Sequence, residues 1–369
     1  IDHRGPEFGA LGLELLSKIQ KIFKTENPVI IYPASGTGAW EAALANTMSP
    51  GDKVLMFETG HFATLWHKMA LRLDIQPEFL GLPGYEGWRH GVQADMIEAR
   101  LKEDTGHELK AVCVVHNETS TGVTSDIAAV RKAIDAAGHP ALLIVDTISG
   151  LASADYRHDE WGVDVTVSGS QKGLMLPPGI SFNALSPKAI EVSKQAKLPK
   201  SFWAWDEILE ANKNGYWPYT PSTNLLYGLN EALDMLLDEG MDNVLARHQR
   251  WAAGVRAAVE AWGLEIQCLD PSVYSPVLTG VVMPEGVDAD AVRKIIYERF
   301  DLSLGMGLGK AKGKMFRIGH LGDCNDLTLI ATLGGCEAGM KLSGVNLKGS
   351  GVTAALDYFA ANPLNAGER

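Results

Sequence analysis

Apolar and polar positions along the first half of the chain follow two different periods. Short, nearly unbroken apolar runs are typical of strands buried in a sheet, and they occupy residues 29–32, 53–57, 75–80, 111–116, 141–146 and 163–167. Segments with apolar residues at helical spacing lie between them, at residues 39–48, 61–73, 94–102 and 125–137. Repeated alternation of strands and helices predicts an α/β fold, with a mostly parallel sheet between layers of helices.

The pattern also predicts how the chain divides into domains. Further helices are predicted at residues 11–23, 225–239, 242–262, 290–299 and 326–341, and further strands at 277–283 and 314–319. A chain of 369 residues is longer than one hydrophobic core usually sustains. We expect an amino-terminal helical segment (1–24), a large domain (25–262) and a smaller carboxy-terminal α+β domain (263–369). Within the large domain, Ser125 is expected to cap the helix that follows it.

Two of the predicted strands end close to residues that can carry chemistry. Asp146 ends the apolar run 141–146, and Lys172 follows the run 163–167 after Ser-Gly-Ser-Gln. Open α/β sheets bind ligands at the carboxyl ends of their strands, so we expect this acid and this amine to face one site. A pyridine-ring aldehyde cofactor needs such a pair, because the amine bonds the aldehyde and the carboxylate keeps the ring nitrogen protonated. Taken alone, each residue also fits an ordinary loop position.

A loop of small residues opens the helix at 39–48. Ser35, Gly36 and Thr37 lie in this loop, where free backbone N–H groups meet the positive end of the helix dipole. That arrangement favours an anion such as phosphate, although a helix cap made by Ser or Thr is an equal alternative. The loop has neither the Gly-Lys-Ser/Thr of a P-loop nor the full dinucleotide G-x-G-x-x-G.

Arg317 lies inside the apolar strand at 314–319, between Phe316 and Ile318. Strand side chains alternate between faces, so Arg317 is expected to point away from its two apolar neighbours. If its face lines a cleft, the guanidinium fork matches a substrate carboxylate. A surface arginine on an edge strand is the alternative.

The segment 199–221 is dense in aromatic residues. They are Phe202, Trp203, Trp205, Tyr216, Trp217 and Tyr219. Such density favours a place in a core or an interface.

Composition narrows the class of protein. A net charge of −12 argues against nucleic acid or an acidic membrane as a partner. The four cysteines have no C-x-x-C spacing, so neither a disulfide framework nor a metal site is expected. We also find no apolar run of membrane-spanning length and no signal peptide, and we therefore expect a cytoplasmic protein. Because the sequence starts at Ile1 rather than Met, an amino-terminal piece is expected to precede it.

Together these stretches resemble the class V pyridoxal-phosphate aminotransferases of the serine–glyoxylate and alanine–glyoxylate type. The resemblance covers nearly the whole chain. Its most specific motifs are SGTGAWEAAL (35–44), HNETSTGV (116–123), VDTISG (145–150), DEWGVDVTVSGSQKG (159–173), WPYTP (217–221) and GKMFRIGHLG (313–322). The resemblance implies fold type I of the enzymes that use pyridoxal 5′-phosphate.

The resemblance also implies roles for individual residues. Lys172 matches the Schiff-base lysine, Asp146 the partner of the pyridinium nitrogen, and Arg317 the arginine that holds the substrate α-carboxylate. The further cofactor-binding positions are Ser35, Gly36, Thr37 and Gln171 around the phosphate, Thr119 near the phenolic oxygen, Phe62 and Ile148 against the ring faces, and Thr220 at the phosphate of the neighbouring subunit. The last position implies a homodimer with shared active sites, with higher assemblies left open.

The implied reaction is amino transfer from a small amino acid to a 2-oxo acid. Serine is the expected donor and glyoxylate the expected acceptor, with alanine or aspartate as alternative donors. This chain departs from its animal relatives at Phe62, where they have tryptophan, and at Trp217, near which they have a tyrosine. Whether Trp217 or Tyr219 reaches the phosphate is therefore open.

Two rival readings remain at this stage. A cysteine desulfurase or other β-eliminating lyase shares the fold and the cofactor, and Cys324 is the candidate for its reactive cysteine. A nucleotide-binding module, with the loop 35–38 around a dinucleotide, is the rival from another class. A purely structural protein leaves the acid, the amine and the arginine unexplained.

Overall fold

The computed structural model describes residues 2–364, so Ile1 and residues 365–369, the end of the predicted small domain, lie outside it. The strands of the described residues are β1 (Val29–Tyr32), β2 (Lys53–Phe57), β3 (Gln76–Leu80), β4 (Leu109–Val115), β5 (Asn117–Glu118), β6 (Val123–Thr124), β7 (Leu142–Asp146), β8 (Val165–Gly169), β9 (Ser181–Leu185), β10 (Glu265–Ile266), β11 (Leu278–Val282), β12 (Gly305–Met306) and β13 (Met315–Gly319). The helices are α1 (Pro6–Phe23), α2 (Gly36–Thr47), α3 (His61–Arg72), α4 (Ala94–Glu103), α5 (Ile127–Ala136), α6 (Pro187–Ser193), α7 (Trp205–Asn212), α8 (Thr223–Glu239), α9 (Met241–Trp262), α10 (Ala289–Phe300), α11 (Asp326–Leu342) and α12 (Gly351–Ala361).

Seven strands form the central sheet, in the order β1-β9-β8-β7-β4-β2-β3. The neighbours from β8 to β3 pair in parallel, whereas β9 is antiparallel to both β1 and β8. The sheet is therefore mostly parallel, and the predicted α/β fold is confirmed. Because β7 and β8 are parallel neighbours, their carboxyl ends lie side by side at one edge of the sheet.

Both faces of this sheet are buried. In β4, Val112 and Val114 belong to one apolar cluster, while Ala111, Cys113 and Val115 belong to another. Alternate side chains of a strand point to opposite faces, so the two clusters are the two sides of the sheet. This explains why the strands have continuous apolar runs rather than alternating patterns.

A separate sheet and core occupy the carboxy-terminal part. Four antiparallel strands pair in the order β10-β11-β13-β12, and a third apolar cluster packs between them and α9–α12. Helix α9 contributes Val244 to the first cluster and Trp251 to Trp262 to the third, so one continuous helix passes from core to core. The predicted boundary between residues 262 and 263 remains a prediction.

Several helix ends differ from the sequence-based expectation. Helix α1 begins at Pro6, five residues before the predicted start, since proline suits the first helical position. The predicted cap at Ser125 is wrong. Asp126 caps α5 by accepting from the Ala129 N–H, and the Ser125 hydroxyl instead accepts from the Val92 N–H.

Candidate active site

A cavity of about 280 Å³ lies at the carboxyl ends of β4, β7 and β8. Its walls are formed by Ser35, Gly36, Thr37, Trp40, Phe62, Val115, Asn117, Thr119, Asp146, Ile148, Ser149, Gln171 and Lys172. The predicted acid and amine thus face one cavity, as the parallel pairing of their strands requires. A larger crevice of about 860 Å³ opens at the amino ends of β2, β4 and β7, far from these residues in the sheet.

Asp146 is almost completely buried and has a hydrogen-bond donor on each carboxylate oxygen. Oδ1 accepts from the Ile148 N–H at 2.6 Å, and Oδ2 accepts from the Trp40 indole N–H at 2.9 Å. Burial raises the pKa of Asp146 to about 7, with a smaller contribution in the same direction from the nearby Glu118. The Ile148 N–H and Trp40 act against that rise. A positive group in the cavity would relieve the cost of this buried charge.

Lys172 follows β8 in a tight turn and is partly buried in the cavity wall. Burial lowers the pKa of its ammonium, and the positive charge of Arg317 lowers it further. Both effects increase the fraction of neutral amine, which is the form that attacks a carbonyl carbon.

Ser35 and the first turn of α2 form one end of the cavity, because the helix begins at Gly36 rather than at the predicted residue 39. Ser35 occupies the position before the helix, yet among the described residues its side chain makes no capping hydrogen bond. A Cβ added to Gly36 would lie 2.7 Å from Ile148 Cγ1, so only glycine permits this close approach. Gln171 Oε1 is buried there without a hydrogen-bond partner in residues 2–364. The unpaired backbone N–H groups of the helix N-terminus and the free Ser35 hydroxyl form a suitable cradle for an anion, to which Gln171 can contribute its amide nitrogen.

Phe62, Thr119 and Ile148 line the same cavity. Phe62 comes from the first turn of α3, Thr119 follows β5, and Ile148 follows β7. The residues expected around a cofactor ring are therefore brought together from three separate parts of the chain.

Arg317 lies beside the cavity on β13, between two neighbouring strands. Its Nη1 donates to the Thr119 carbonyl at 2.6 Å, and its Nε donates to the Met306 carbonyl at 2.9 Å. Its register partners are Gly280 and Gly305, so neither neighbouring strand covers the guanidinium with a side chain. The expectation that Arg317 points away from its buried apolar neighbours holds, and the edge-strand alternative is wrong.

Thr220 is exposed and does not line the cavity of its own chain. Trp217 is buried and donates its indole N–H to the Ile31 carbonyl at 2.9 Å. The Tyr219 hydroxyl, by contrast, is buried without a partner in the described part of the chain. Trp217 thus has no polar atom left for a phosphate. Trp205 and Trp217 lie in the core, as their aromatic segment predicts.

Sequence reasoning did not single out Trp40 or Glu118. Trp40 lies in α2 and contacts Asp146 across two elements that are remote in sequence. Glu118 is 1% exposed at the end of β5. A carboxylate two residues after the apolar run 111–116 is the sequence signal for Glu118, whereas the sequence around Trp40 indicates only an ordinary helix position.

The other candidates for chemistry are the cysteines and possible metal ligands. Cys324 lines a different cavity with Arg247, and burial raises the pKa of its thiol. In the described residues all four cysteines are free, and no cluster of His, Cys, Asp or Glu could hold a metal ion. None of the helices in residues 2–364 is long and apolar enough to cross a membrane.

Comparison with known proteins relates this cavity to a family. The sequence profile of the family Aminotransferase class-V matches residues 2–309. The serine–glyoxylate aminotransferase of Hyphomicrobium methylovorum is 48% identical over 365 residues, which cover 98% of this chain and 89% of that protein. The L-aspartate–glyoxylate aminotransferase of Paracoccus denitrificans is 46% identical over 362 residues, covering 97% and 90% of the two chains.

A solved structure gives the same result at the level of the fold. The pyridoxamine–pyruvate aminotransferase from Mesorhizobium loti superposes with a TM-score of 0.90 at 29% identity, covering 98% of this chain and 92% of that one. The family resemblance, the fold and the cofactor expected from the motifs are thereby confirmed. With a profile match over most of its length and relatives near half identity, this chain belongs to the class V aminotransferases, whose cofactor is pyridoxal 5′-phosphate.

Proposed function

We propose that this protein transfers the amino group of a small L-amino acid, serine in the first place, to glyoxylate, giving glycine and hydroxypyruvate. The observation that carries the proposal is that an amine, Lys172, and a buried acid, Asp146, line one cavity, while Arg317 donates a hydrogen bond to Thr119 in the wall of that cavity. The serine–glyoxylate and L-aspartate–glyoxylate relatives support the acceptor and define the range of donors.

The residues of the cavity fit pyridoxal phosphate. Ser35, Gly36, Thr37 and the amide nitrogen of Gln171 would hold its phosphate, and Phe62 and Ile148 would enclose its ring. When bound, the cofactor would supply an aldehyde carbon for the amine and a ring that accepts the electron pair left behind when the substrate loses its Cα proton. Asp146 is held by two donors, so it stands as a fixed carboxylate that keeps a proton on the ring nitrogen.

Lys172 is proposed as the group that moves the substrate proton. Its amine would hold the cofactor covalently at rest. Once an amino acid displaces it, Lys172 Nζ would accept the proton from the substrate Cα as general base and, as general acid, would deliver it to the carbon that the cofactor's aldehyde supplies. Its lowered pKa suits both roles, because the optimum lies near the working pH.

Arg317 is proposed to bind the α-carboxylate of each substrate. Two of its nitrogens are fixed by the Thr119 and Met306 carbonyls, which orients the guanidinium before any substrate arrives. A preoriented fork loses less entropy when it clamps a carboxylate. Glyoxylate and a small amino acid both offer such a carboxylate, so one arginine serves both half-reactions.

Assembly as a homodimer is also part of the proposal. Thr220 is exposed in the single chain, which leaves it available to reach the phosphate site of a second copy. The Tyr219 hydroxyl, buried without a partner in residues 2–364, lies one residue away. We place the enzyme in the cytoplasm, since four free thiols suit a reducing compartment.

A donor panel tests the function. Purified holoenzyme is given serine, alanine, aspartate or cysteine together with glyoxylate, and glycine, the 2-oxo acid and sulfide are measured. We expect glycine formation to be fastest with serine, with kinetics in which one product leaves before the second substrate enters. Faster transfer from aspartate would change the assigned donor. Sulfide release from cysteine without glycine formation would refute amino transfer.

The matched variant is Lys172→Ala. Borohydride should attach the cofactor irreversibly to the wild-type chain at Lys172, as read by mass spectrometry of the peptide. The variant should neither be labelled nor turn over. A variant that kept both properties would falsify the assignment.

A further inference from the structure

Helix α3 begins without a capping side chain of its own. The residue before its first turn is Gly60, and the first helical N–H groups find their acceptors on the hairpin of β5 and β6. The His61 N–H donates to Ser120 Oγ at 2.9 Å, and the Phe62 and Ala63 N–H groups donate to the two carboxylate oxygens of Glu118 at 3.4 and 3.1 Å. A helix leaves such groups unpaired unless another segment satisfies them.

Glu118 fills the space that a capping side chain would need. A Cβ on Gly60 would overlap Cγ and Cδ of Glu118 and would lie 2.6 Å from Ser120 Oγ. The Glu118 carboxylate is buried and also accepts from the Ser120 N–H at 3.1 Å and the Ser120 hydroxyl at 2.6 Å. A buried negative charge with four donors, placed at the positive end of a helix dipole, is strongly localised.

The turn that Glu118 fixes carries Phe62, which lines the cofactor cavity. Glu118 itself does not line that cavity, so it acts on a bound cofactor through the residues that do. The carboxylate accepts a hydrogen bond from the backbone N–H of Phe62, and the φ and ψ angles of Phe62 set the direction of its ring. Loss of this bond would release the first turn of α3 at the cavity wall.

We infer that Glu118 is a positioning residue, which holds the first turn of α3 so that the Phe62 ring stands against the cofactor. The inference rests on the proposed function for the identity of the ligand. Glu118 is therefore expected to affect the affinity for the cofactor, whereas a residue that caps a helix away from the cavity is not.

The test measures binding rather than turnover. Pyridoxamine 5′-phosphate binds without a covalent bond, and its dissociation constant is measured by calorimetry for wild type, Glu118→Gln, Phe62→Ala and the double variant. A glutamine amide would turn a donor towards backbone N–H groups, so we expect Glu118→Gln to weaken binding about tenfold, roughly 1.4 kcal/mol. In the Phe62→Ala background the same substitution should change the dissociation constant by less than about twofold, because coupled residues are not additive.

Asp126→Asn is the matched control. Asp126 caps α5 by accepting from the Ala129 N–H at 2.9 Å, away from the cavity, and the substitution makes the same change in charge. It should lower thermal stability and leave the dissociation constant unchanged. The inference is overturned if Glu118→Gln behaves like this control, or if it weakens binding equally with and without the Phe62 ring.

Ser120→Ala provides a second variant if Glu118→Gln does not fold. It removes the acceptor of the His61 N–H and one donor to Glu118, and we expect binding to weaken about threefold. Unchanged binding would count against the inference. If wild-type protein does not bind pyridoxamine phosphate, the proposed function fails together with the inference. If wild-type protein binds it and the variants bind it equally well, only the inference fails.

Discussion

The indole N–H of Trp40 donates to Asp146 Oδ2 across 2.9 Å, and both groups are buried. The bond stabilises the charged form of the carboxylate and so opposes the rise in pKa that burial causes. Trp40 also stacks on Trp66, with ring centroids 5.8 Å apart and planes 11° from parallel. The stack fixes the direction in which the indole N–H points.

Trp40→Phe should therefore remove the hydrogen-bond donor to Asp146 while an aromatic ring still fills this part of the cavity wall. Removal of the donor raises the pKa of Asp146 further, so the carboxylate holds the ring-nitrogen proton less firmly. A hydrogen bond to a charged group contributes about 1.5–3 kcal/mol, and we expect kcat to fall at least about tenfold. Trp66→Phe is the control, since it keeps an aromatic ring against Trp40 and removes only an indole nitrogen that has no partner in the described residues. Equal losses in the two variants would contradict the role of the bond.

Asp146→Asn should change how the stability of the ligand-free protein depends on pH. The pKa of Asp146 is about 7 when folded and near the ordinary 3.8 when unfolded, so the folded state binds more protons between these values. Wild-type stability should then fall as the pH rises through this range, while the variant lacks this loss. We expect the variant to be the more stable protein at about pH 8, on the order of a few kcal/mol, and equal to wild type near pH 4.

Thermal unfolding of both proteins without cofactor checks this prediction. The variant should at the same time lose most of its turnover when the cofactor is present. A variant less stable than wild type at the higher pH would show that the folded protein does not oppose the charge of Asp146.

Arg317→Gln should raise the pKa of Lys172. Burial lowers that pKa first, and the charge of Arg317 lowers it further, so removal of the charge favours the ammonium form. The rate at which formaldehyde and cyanoborohydride methylate Lys172, followed against pH by mass spectrometry, should shift to higher pH in the variant. Arg293→Gln removes a charge that is bound instead to the Leu304 carbonyl and to Asp290, and it should leave the profile unchanged. Identical profiles for all three proteins would exclude the coupling.

Gly36→Ala should weaken cofactor binding through steric overlap. The new methyl group would meet the Ile148 side chain, which lines the cavity where the cofactor would bind, and we expect it to displace that side chain into the cavity. We expect the dissociation constant of pyridoxamine phosphate to rise about tenfold, a change of roughly 1.4 kcal/mol. Gly334→Ala is the control, because its added Cβ meets no atom of residues 2–364 within 4 Å apart from its chain neighbours and the adjacent helix backbone, and the exchange inside α11 should stabilise the helix by up to about 1 kcal/mol. Undiminished binding in Gly36→Ala would mean that Ile148 moves away from the cavity.

The shared location of Asp146 and Lys172 could be predicted from the sequence. It follows from the local apolar pattern and from one rule, that α/β sheets bind ligands at the carboxyl ends of their parallel strands. Asp146 ends an apolar run and Lys172 follows the next one, and the parallel pairing of the two strands brings both to one cavity. Arg317 was accessible for a similar reason, since strand periodicity alone gives its direction.

Glu118 and β9 were missed because their places depend on partners remote in sequence. Glu118 acts on α3, which precedes it by more than fifty residues. Strand β9 contains Asn183, a residue that disfavours strands, and this side chain is satisfied by the Tyr32 hydroxyl and the Ala39 carbonyl of other elements. Neither partner is visible in the local pattern. The prediction that Ser125 caps α5 is wrong for a local reason. Ser125 and Asp126 are adjacent, and both residue types are good helix caps.

Helix α9 has a mechanical consequence for substrate capture. Its first turns are anchored in the core beneath the large sheet and its last turns in the core that supports Arg317, with no loop between them. If both ends of α9 stay anchored, a movement of the strand that carries Arg317 towards Lys172 has to bend this 22-residue helix, so we expect only small, elastic displacements of the arginine.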